Sequence, residues 1–201
     1  MYLITKRIFD IIISFAALVV LLPVLIIIAA AVIINSGFPI FYLQDRIGKD
    51  WRPFKIIKFR TMVNGADKIG PGISMMNDER ITFVGKILRK FKLDEIPQFI
   101  NVLIGSMSII GPRPELKKYA AFYPDEYSEI LKIRPGLTDY ASIEFMNESA
   151  LLENKTESET FYLKEILPVK ILLCKRYLED MNFITDLKII FKTAAGILLC
   201  K

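Results

Sequence analysis

The sequence predicts a mainly helical α+β fold: an N-terminal membrane helix, a compact domain with a small β-hairpin, and amphipathic helices at the lipid interface. Three observations carry this. An apolar run occupies Ile8 to Ile34, two short strand-like segments follow it across a Gly-Lys-Asp turn, and the remainder shows helical periodicity with no βαβ unit evident.

The apolar run, broken only by Asp10 and Ser14, would extend roughly 40 Å as a straight helix, more than the roughly 30 Å hydrocarbon core. It is too long for a signal-peptide core, and no small-residue cleavage site follows it. Lys6 and Arg7 precede it; Arg46, Lys49, Arg52, Lys55, Lys58 and Arg60 follow it. A single span must put one basic cluster outside, against the preference of Lys and Arg for the cytoplasm. A re-entrant helix keeps both inside, and Pro23 offers a place to bend. The residues alone admit both arrangements. They divide the chain into an anchor over 1–38 and a domain over 39–201.

Asn35 to Pro39 is a turn signal. Ile40–Leu43 and Phe54–Phe59 read as strands, and 65–78, rich in Gly, Asn and Asp, reads as a mobile loop. Glu79–Lys92 has helical spacing at Phe83, Ile87 and Phe91. Asp94–Ile104 follows with Ile96, Phe99, Ile100 and Leu103 as a buried stripe. Glu115–Tyr123 and Glu126–Ile133 are helix candidates, separated from the tail by a Pro135-Gly136 turn. From Ser158 the tail is helix-forming, and Thr185 is placed to cap a last helix with Leu187, Ile190, Phe191 and Ala194 on one face.

Composition narrows the chemistry. The 201 residues are 53% hydrophobic and 24% charged, which suits one domain plus an anchor. Net charge is +5 and the pI about 9.1, so the partners are nucleic acid, an anionic membrane surface or phosphate-bearing substrates. The apolar run favours the last two. Cys174 and Cys200, the two cysteines, form neither a metal spacing nor a disulfide framework, as in a reduced cytosolic setting. Histidine is absent, which excludes a histidine base, a His-containing triad and His-ligated zinc.

Asp94-Glu95 stands out just before a helical pattern. The plain account is an N-cap and a first-turn acid. A carboxylate there also suits a nucleophile or a ligand for a hard cation such as Mg²⁺. Arg89 precedes the pair by one helical turn and a little more. Arg113 is held between Pro112 and Pro114, and Arg134 precedes Pro135-Gly136. A rigid loop presenting an arginine suits bidentate phosphate binding. Lys55, Lys58 and Arg60 alternate with aromatic and aliphatic residues; next to a membrane helix, this reads as headgroup contact rather than nucleic-acid binding.

These segments, in this order, resemble the bacterial sugar transferase family, the monotopic phosphoglycosyl transferases. The resemblance runs through the apolar helix with its midpoint Pro23, Lys58-Phe59-Arg60-Thr61-Met62, Leu93-Asp94-Glu95-Ile96-Pro97-Gln98, Gly105 to Pro114, and Arg134-Pro135-Gly136-Leu137-Thr138. It implies a re-entrant helix, with the domain on the cytoplasmic face of the bacterial plasma membrane. It implies that Asp94 is the nucleophile on the β-phosphate of a UDP-sugar, with Glu95 taking or positioning a proton. Mg²⁺ would sit at Asp94, with Arg113, Arg89, Arg134, Lys58 and Arg60 toward phosphate. The acceptor would be undecaprenyl phosphate and the donor a UDP-N-acetylamino sugar. Oligomeric state stays open, a homodimer included. Two positions depart from the usual pattern: Leu22 stands where many relatives have Ser, and the run Asp139–Phe145 replaces a Gly with Trp or Leu after Thr138. The competing reading is a non-catalytic membrane scaffold for glycan-assembly enzymes. The intact Asp94-Glu95 pair and Arg113 argue against it.

Overall fold

The computed structural model describes residues 2–66, 78–152 and 158–199. The loop expected over 65–78 lies largely outside them. Helix α1, Tyr2–Ser36, is 35 residues long, and Pro23 lies inside it without ending it. Its most apolar stretch is long enough to cross a membrane, and only 11% of that stretch is buried. Side chains along the middle face outward; Val20 is 74% exposed.

Both ends of α1 are fixed to the same body. Near the start, Asp186 accepts from the Tyr2 hydroxyl at 2.7 Å, Lys6 Nζ at 2.6 Å and the Tyr177 hydroxyl at 2.7 Å. Asp10, one of the two polar residues in the apolar run, is buried, accepting from Ser108 Oγ at 2.7 Å and the Ile109 amide at 3.1 Å. Arg7 donates to the carbonyls of Val102 and Leu103 at 2.7 and 3.0 Å. At the far end, Ile28 and Val32 pack with Phe59, Leu88 and Ile96. There Arg60 donates to the carbonyls of Ser36 and Phe38 at 2.6 and 2.8 Å, and to that of Gly37.

The hairpin is present and longer than expected. Strands β1, Phe41–Ile47, and β2, Pro53–Phe59, pair antiparallel from Phe41↔Phe59 to Ile47↔Pro53. The buried Asn101 side chain covers the free edge of β2. Its Oδ1 accepts from the Ile57 amide at 3.0 Å and its Nδ2 donates to the Lys55 carbonyl at 2.8 Å.

Helix α2, Phe83–Lys90, begins later than expected because Thr82 caps it, its hydroxyl accepting from the Gly85 amide at 3.0 Å. Its apolar stripe of Phe83 and Ile87, with Phe91 just beyond, points outward; Gly85 and Leu88 face in. The second expected helix is shortened by Pro97. A 3₁₀ turn, Leu93–Glu95, precedes α3, Gln98–Leu103. The inward face of α3 is Gln98, Asn101 and Val102 rather than the expected apolar stripe, of which Ile96 is buried and Ile100 exposed.

A parallel pair of three-residue strands, β3 (Ser108–Ile110) and β4 (Gly136–Thr138), stands where the sequence shows only a loop and a turn. Between them lie α4, Lys117–Ala120, and α5, Pro124–Ile130. Both are shorter than their sequence ranges. Gly111 and Gly136 meet backbone to backbone: a Cβ on Gly136 would overlap Gly111, closer than real Cβ atoms come.

Then come α6 (Tyr140–Glu144), α7 (Glu148–Leu151), α8 (Ser158–Phe161), a π-turn over Tyr162–Ile166, α9 (Leu167–Asp180) and α10 (Phe183–Leu199). The cap of α10 is Asn182 rather than Thr185: Asn182 Oδ1 accepts from the Thr185 amide at 3.0 Å. The inward line of α10 includes Asp186 and Ile189, while Phe191 is 71% exposed. One core gathers Tyr119, Tyr127, Leu152, Leu167 and Ile171; a second gathers Ile56, Val102, Met107, Ile110, Tyr177 and Ile189.

Removing Asp186 strands a buried ammonium, the buried Tyr177 hydroxyl and the half-buried Tyr2 hydroxyl. Asp186→Ala should cost about 3–5 kcal/mol in thermal unfolding of the detergent-solubilised protein. The exposed Asp45→Ala should stay within about 0.5 kcal/mol of the parent.

Candidate active site

The turn after α2 delivers the acidic pair. Lys92 takes left-handed backbone, φ 54 and ψ 21, a conformation that costs a non-glycine residue on the order of 1–2 kcal/mol. It turns the chain from α2 into the 3₁₀ turn. There Asp94 is 7% exposed. It caps no helix, and its carboxylate has no hydrogen-bond partner among the described residues. The plain capping account of the pair therefore does not hold.

Glu95 is held quite differently. Its Oε1 accepts from Lys58 Nζ at 2.9 Å and from one terminal nitrogen of Arg113. Its Oε2 accepts from the other Arg113 terminal nitrogen at 3.1 Å, completing a two-pronged ion pair. Burial opposes ionisation of Glu95, but Arg113 and Lys58 outweigh it and hold the carboxyl well below the usual range. Asp94 shifts the other way: burial first, then the negative charge of Glu95, raise its pKa against the offsetting charges of Lys58, Arg89 and Lys92. So neighbours in sequence become a fixed anion and an unengaged carboxylate.

The cations arrive on three elements. Lys58 comes from β2. Arg89 comes from α2, its Nε donating to Thr61 Oγ1 at 2.8 Å. Gly85 makes this possible: a Cβ there would collide with the Thr61 backbone, so only glycine lets α2 lie so close. Burial lowers the pKa of Arg89, and Asp94 is the largest charge drawing it back up. Arg113 comes from the Gly-Pro-Arg-Pro loop, which is docked on the strand pair. The Gly136 amide donates to the Pro112 carbonyl at 2.9 Å and the Gly111 amide to the Thr138 carbonyl at 3.1 Å.

Two expected phosphate ligands sit elsewhere. Arg60 is buried on the last carbonyls of α1, where a cation meets unsatisfied acceptors at a helix C-terminus. Arg134 is exposed, with Nε donating to the Gly105 carbonyl at 2.8 Å. Asp139 is the residue that sequence reasoning missed. Fully buried, it accepts from the Arg113 amide at 3.0 Å, from the Ser142 amide at 2.7 Å and from Ser142 Oγ at 2.6 Å. The sequence marks it only as the first residue of the departing run Asp139–Phe145, with no role of its own. Thr61 is the second such residue, quoted within a motif but given no role.

No cluster of three or more metal-ligating side chains occurs among the described residues. Mg²⁺ is commonly held by one or two carboxylates with substrate phosphate oxygens. The unengaged Asp94 fits that mode, and Glu95, committed to two cations, does not add to it.

The opposed environments predict a separation of stability from chemistry. A folded-state pKa raised above the unfolded one favours the protonated form, so ionised Asp94 destabilises the fold at neutral pH. Asp94→Asn should therefore melt higher than the parent at neutral pH, and the gap should close below about pH 4, where the carboxyl is protonated in both states. Circular-dichroism melts across pH check this.

Comparison with known proteins agrees with the residues. The family model for bacterial sugar transferases matches residues 1–199. The exopolysaccharide production protein ExoY of Sinorhizobium fredii is 31% identical across 98% of this chain and 87% of its own length. The UDP-glucose:undecaprenyl-phosphate glucose-1-phosphate transferase of Escherichia coli is 36% identical across 94% of this chain, which spans 39% of that protein. The UDP-N-acetylgalactosamine-undecaprenyl-phosphate N-acetylgalactosaminephosphotransferase of Aeromonas hydrophila is 32% identical across 98% of this chain, which spans 44% of that protein. With its acidic pair, proline-held arginine and apolar helix within the matched span, this chain is an enzyme of the bacterial sugar transferase family.

Proposed function

We propose that this enzyme moves a sugar 1-phosphate from a UDP-sugar to undecaprenyl phosphate, through a covalent phospho-sugar on Asp94, as the first membrane step of bacterial glycan assembly. The observation that carries the reading is the contrast within the pair: Asp94 is buried and unengaged while Glu95 is fixed by Arg113 and Lys58.

In the first displacement an Asp94 oxygen attacks the β-phosphorus. The bond from that phosphorus to the bridging oxygen breaks, and UMP leaves with the electron pair. In the second, an oxygen of undecaprenyl phosphate attacks the same phosphorus, the bond to Asp94 breaks, and the carboxylate is restored. The product is undecaprenyl-diphospho-sugar. Each step joins anions, so positive charge must be in place beforehand. Arg113, Lys58 and Arg89 supply it from three separate elements. Glu95 acts by positioning Arg113 and Lys58 rather than by moving a proton. Mg²⁺ at Asp94 offsets the charge of the diphosphate when bound.

The bilayer reading rests on α1. Its ends hydrogen-bond to one folded body, at Asp186, Asp10 and Arg60, while its middle is apolar and exposed. A helix tethered in this way enters and leaves from one face, which supports a re-entrant anchor and a domain on the cytoplasmic side. The outward stripes of α2 and α10 suit the headgroup region of that face. The donor we favour is a UDP-N-acetylamino sugar, the class named for the Aeromonas relative; UDP-glucose, named for the Escherichia coli relative, is its competitor.

UMP release from a panel of UDP-sugars, with undecaprenyl phosphate and Mg²⁺, tests the reaction. One sugar should give turnover, and Asp94→Asn should lose roughly 10⁴-fold or more. Denatured, donor-treated protein should carry one phospho-sugar by intact mass, absent from Asp94→Asn. Release without any covalent adduct, under ternary rather than ping-pong kinetics, would sink the two-step scheme. Chelation by EDTA should stop turnover, and Mg²⁺ should restore it.

A further inference from the structure

Several cations that lie outside the active site meet in one cleft. A cleft of about 60 Å³ opens at the N-terminal end of α1, and Arg7, Lys49, Lys132 and Arg134 line it. None of these four has an acidic partner within ion-pair distance among the described residues. The cleft's nearby anions are already committed: Asp186 to Lys6, and Asp10 to Ser108 and the Ile109 amide. Arg134 uses only its Nε, so its two terminal nitrogens keep their donors. Asp94, Glu95, Lys58, Arg89 and Arg113 do not line the cleft, so it is separate from the active site.

Asp10 also lines the cleft, but its carboxylate is committed to Ser108 and the Ile109 amide, so the four cations outnumber it and repel one another. Burial and then the charge of Arg134 depress the pKa of Arg7, against the opposing pull of Asp10. An anion in the cleft removes that repulsion and meets free donors in a forked geometry suited to phosphate oxygens. The volume admits several water-sized groups, and so a tetrahedral phosphate. The walls are not all polar: Leu3, Ile133 and Met181 line the same cleft, and the outward apolar side chains Ile4, Phe183 and Ile184 belong to the same end of the molecule.

We propose that this cleft is a second phosphate site, distinct from the catalytic one, which holds the phosphate of an anionic membrane lipid with its chains along the apolar wall. Phosphate binding follows from the cation cluster alone; the lipid as its source rests also on α1 lying in a bilayer. Such a site would fix the height of the domain against the headgroups.

The test needs no substrate, so it stands apart from the transfer reaction. The full chain, purified in neutral detergent, is mixed with phosphatidylglycerol and phosphatidylcholine in equal amounts, and retained lipid is read by native mass spectrometry. The parent should retain phosphatidylglycerol. Lys49→Ala with Lys132→Ala, both exposed and outside the catalytic machinery, should retain it about tenfold less. Lys117→Ala with Lys164→Ala removes the same charge outside the cleft and should match the parent. Thermal stabilisation by millimolar inorganic phosphate alone, lost in the cleft variant, would keep the site and reassign its source to soluble phosphate. Equal loss in both double variants, or equal retention of the two lipids by the parent, would overturn the proposal.

Discussion

The architecture depends on polar anchoring of an apolar helix at both ends. Most of this exposed apolar helix gains no burial on the body beneath it, although Ile28 and Val32 pack there at its far end. It is kept there by Asp186 and Asp10 at one end and by Arg60 at the other, all buried. The Arg60 anchor also spaces the site. Lys58, two residues earlier on β2, points its ammonium to Glu95, and Thr61, one residue later, receives Arg89. A single pentapeptide thus ties the apolar helix, the hairpin and the acidic turn together.

The acidic pair shows how little sequence adjacency constrains chemistry. Asp94 and Glu95 differ by one methylene and share a 3₁₀ turn, yet one is stabilised as an anion and the other is penalised for being one. What separates them is where the cations stand. Arg113 and Lys58 reach Glu95 within hydrogen-bonding distance, whereas Asp94 feels Lys58 and Arg89 only through space. In the two-step scheme proposed above, a nucleophile must keep its lone pairs available, and the carboxylate that nothing binds meets that requirement despite its cost to folding.

Periodicity and punctuation made much of this legible. The apolar run, the hairpin, the helical tail and the proline-held Arg113 could all be read directly from residue types. The departures have physical causes. Pro97 interrupted an otherwise convincing helix. The stripe on α2 reads as a core face by spacing, and spacing carries no information about which side solvent or lipid occupies. Strands β3 and β4 are three residues each, too short for a period of two to register, and their pairing rests on two glycines meeting. Arg60 had the right chemistry for phosphate, but only three-dimensional placement shows it on the carbonyls at the end of α1, and Arg134 away from the acidic pair. Asp139 was hidden because, although Ser142 lies three residues on, the Arg113 amide and Cys174 are 26 and 35 residues away.

That residue has a further consequence. Asp139 couples the amide of Arg113 to the start of α6, and Cys174 Sγ of α9 lies 3.5 Å from its carboxylate. Three segments therefore converge on one side chain and must be inherited as a set. A recombinant chain with its crossover between 114 and 138 would set one parent's arginine loop against the other's carboxylate. A crossover beyond Cys174 keeps the three contacts within a single parent, so chimaeras between family members are best cut there.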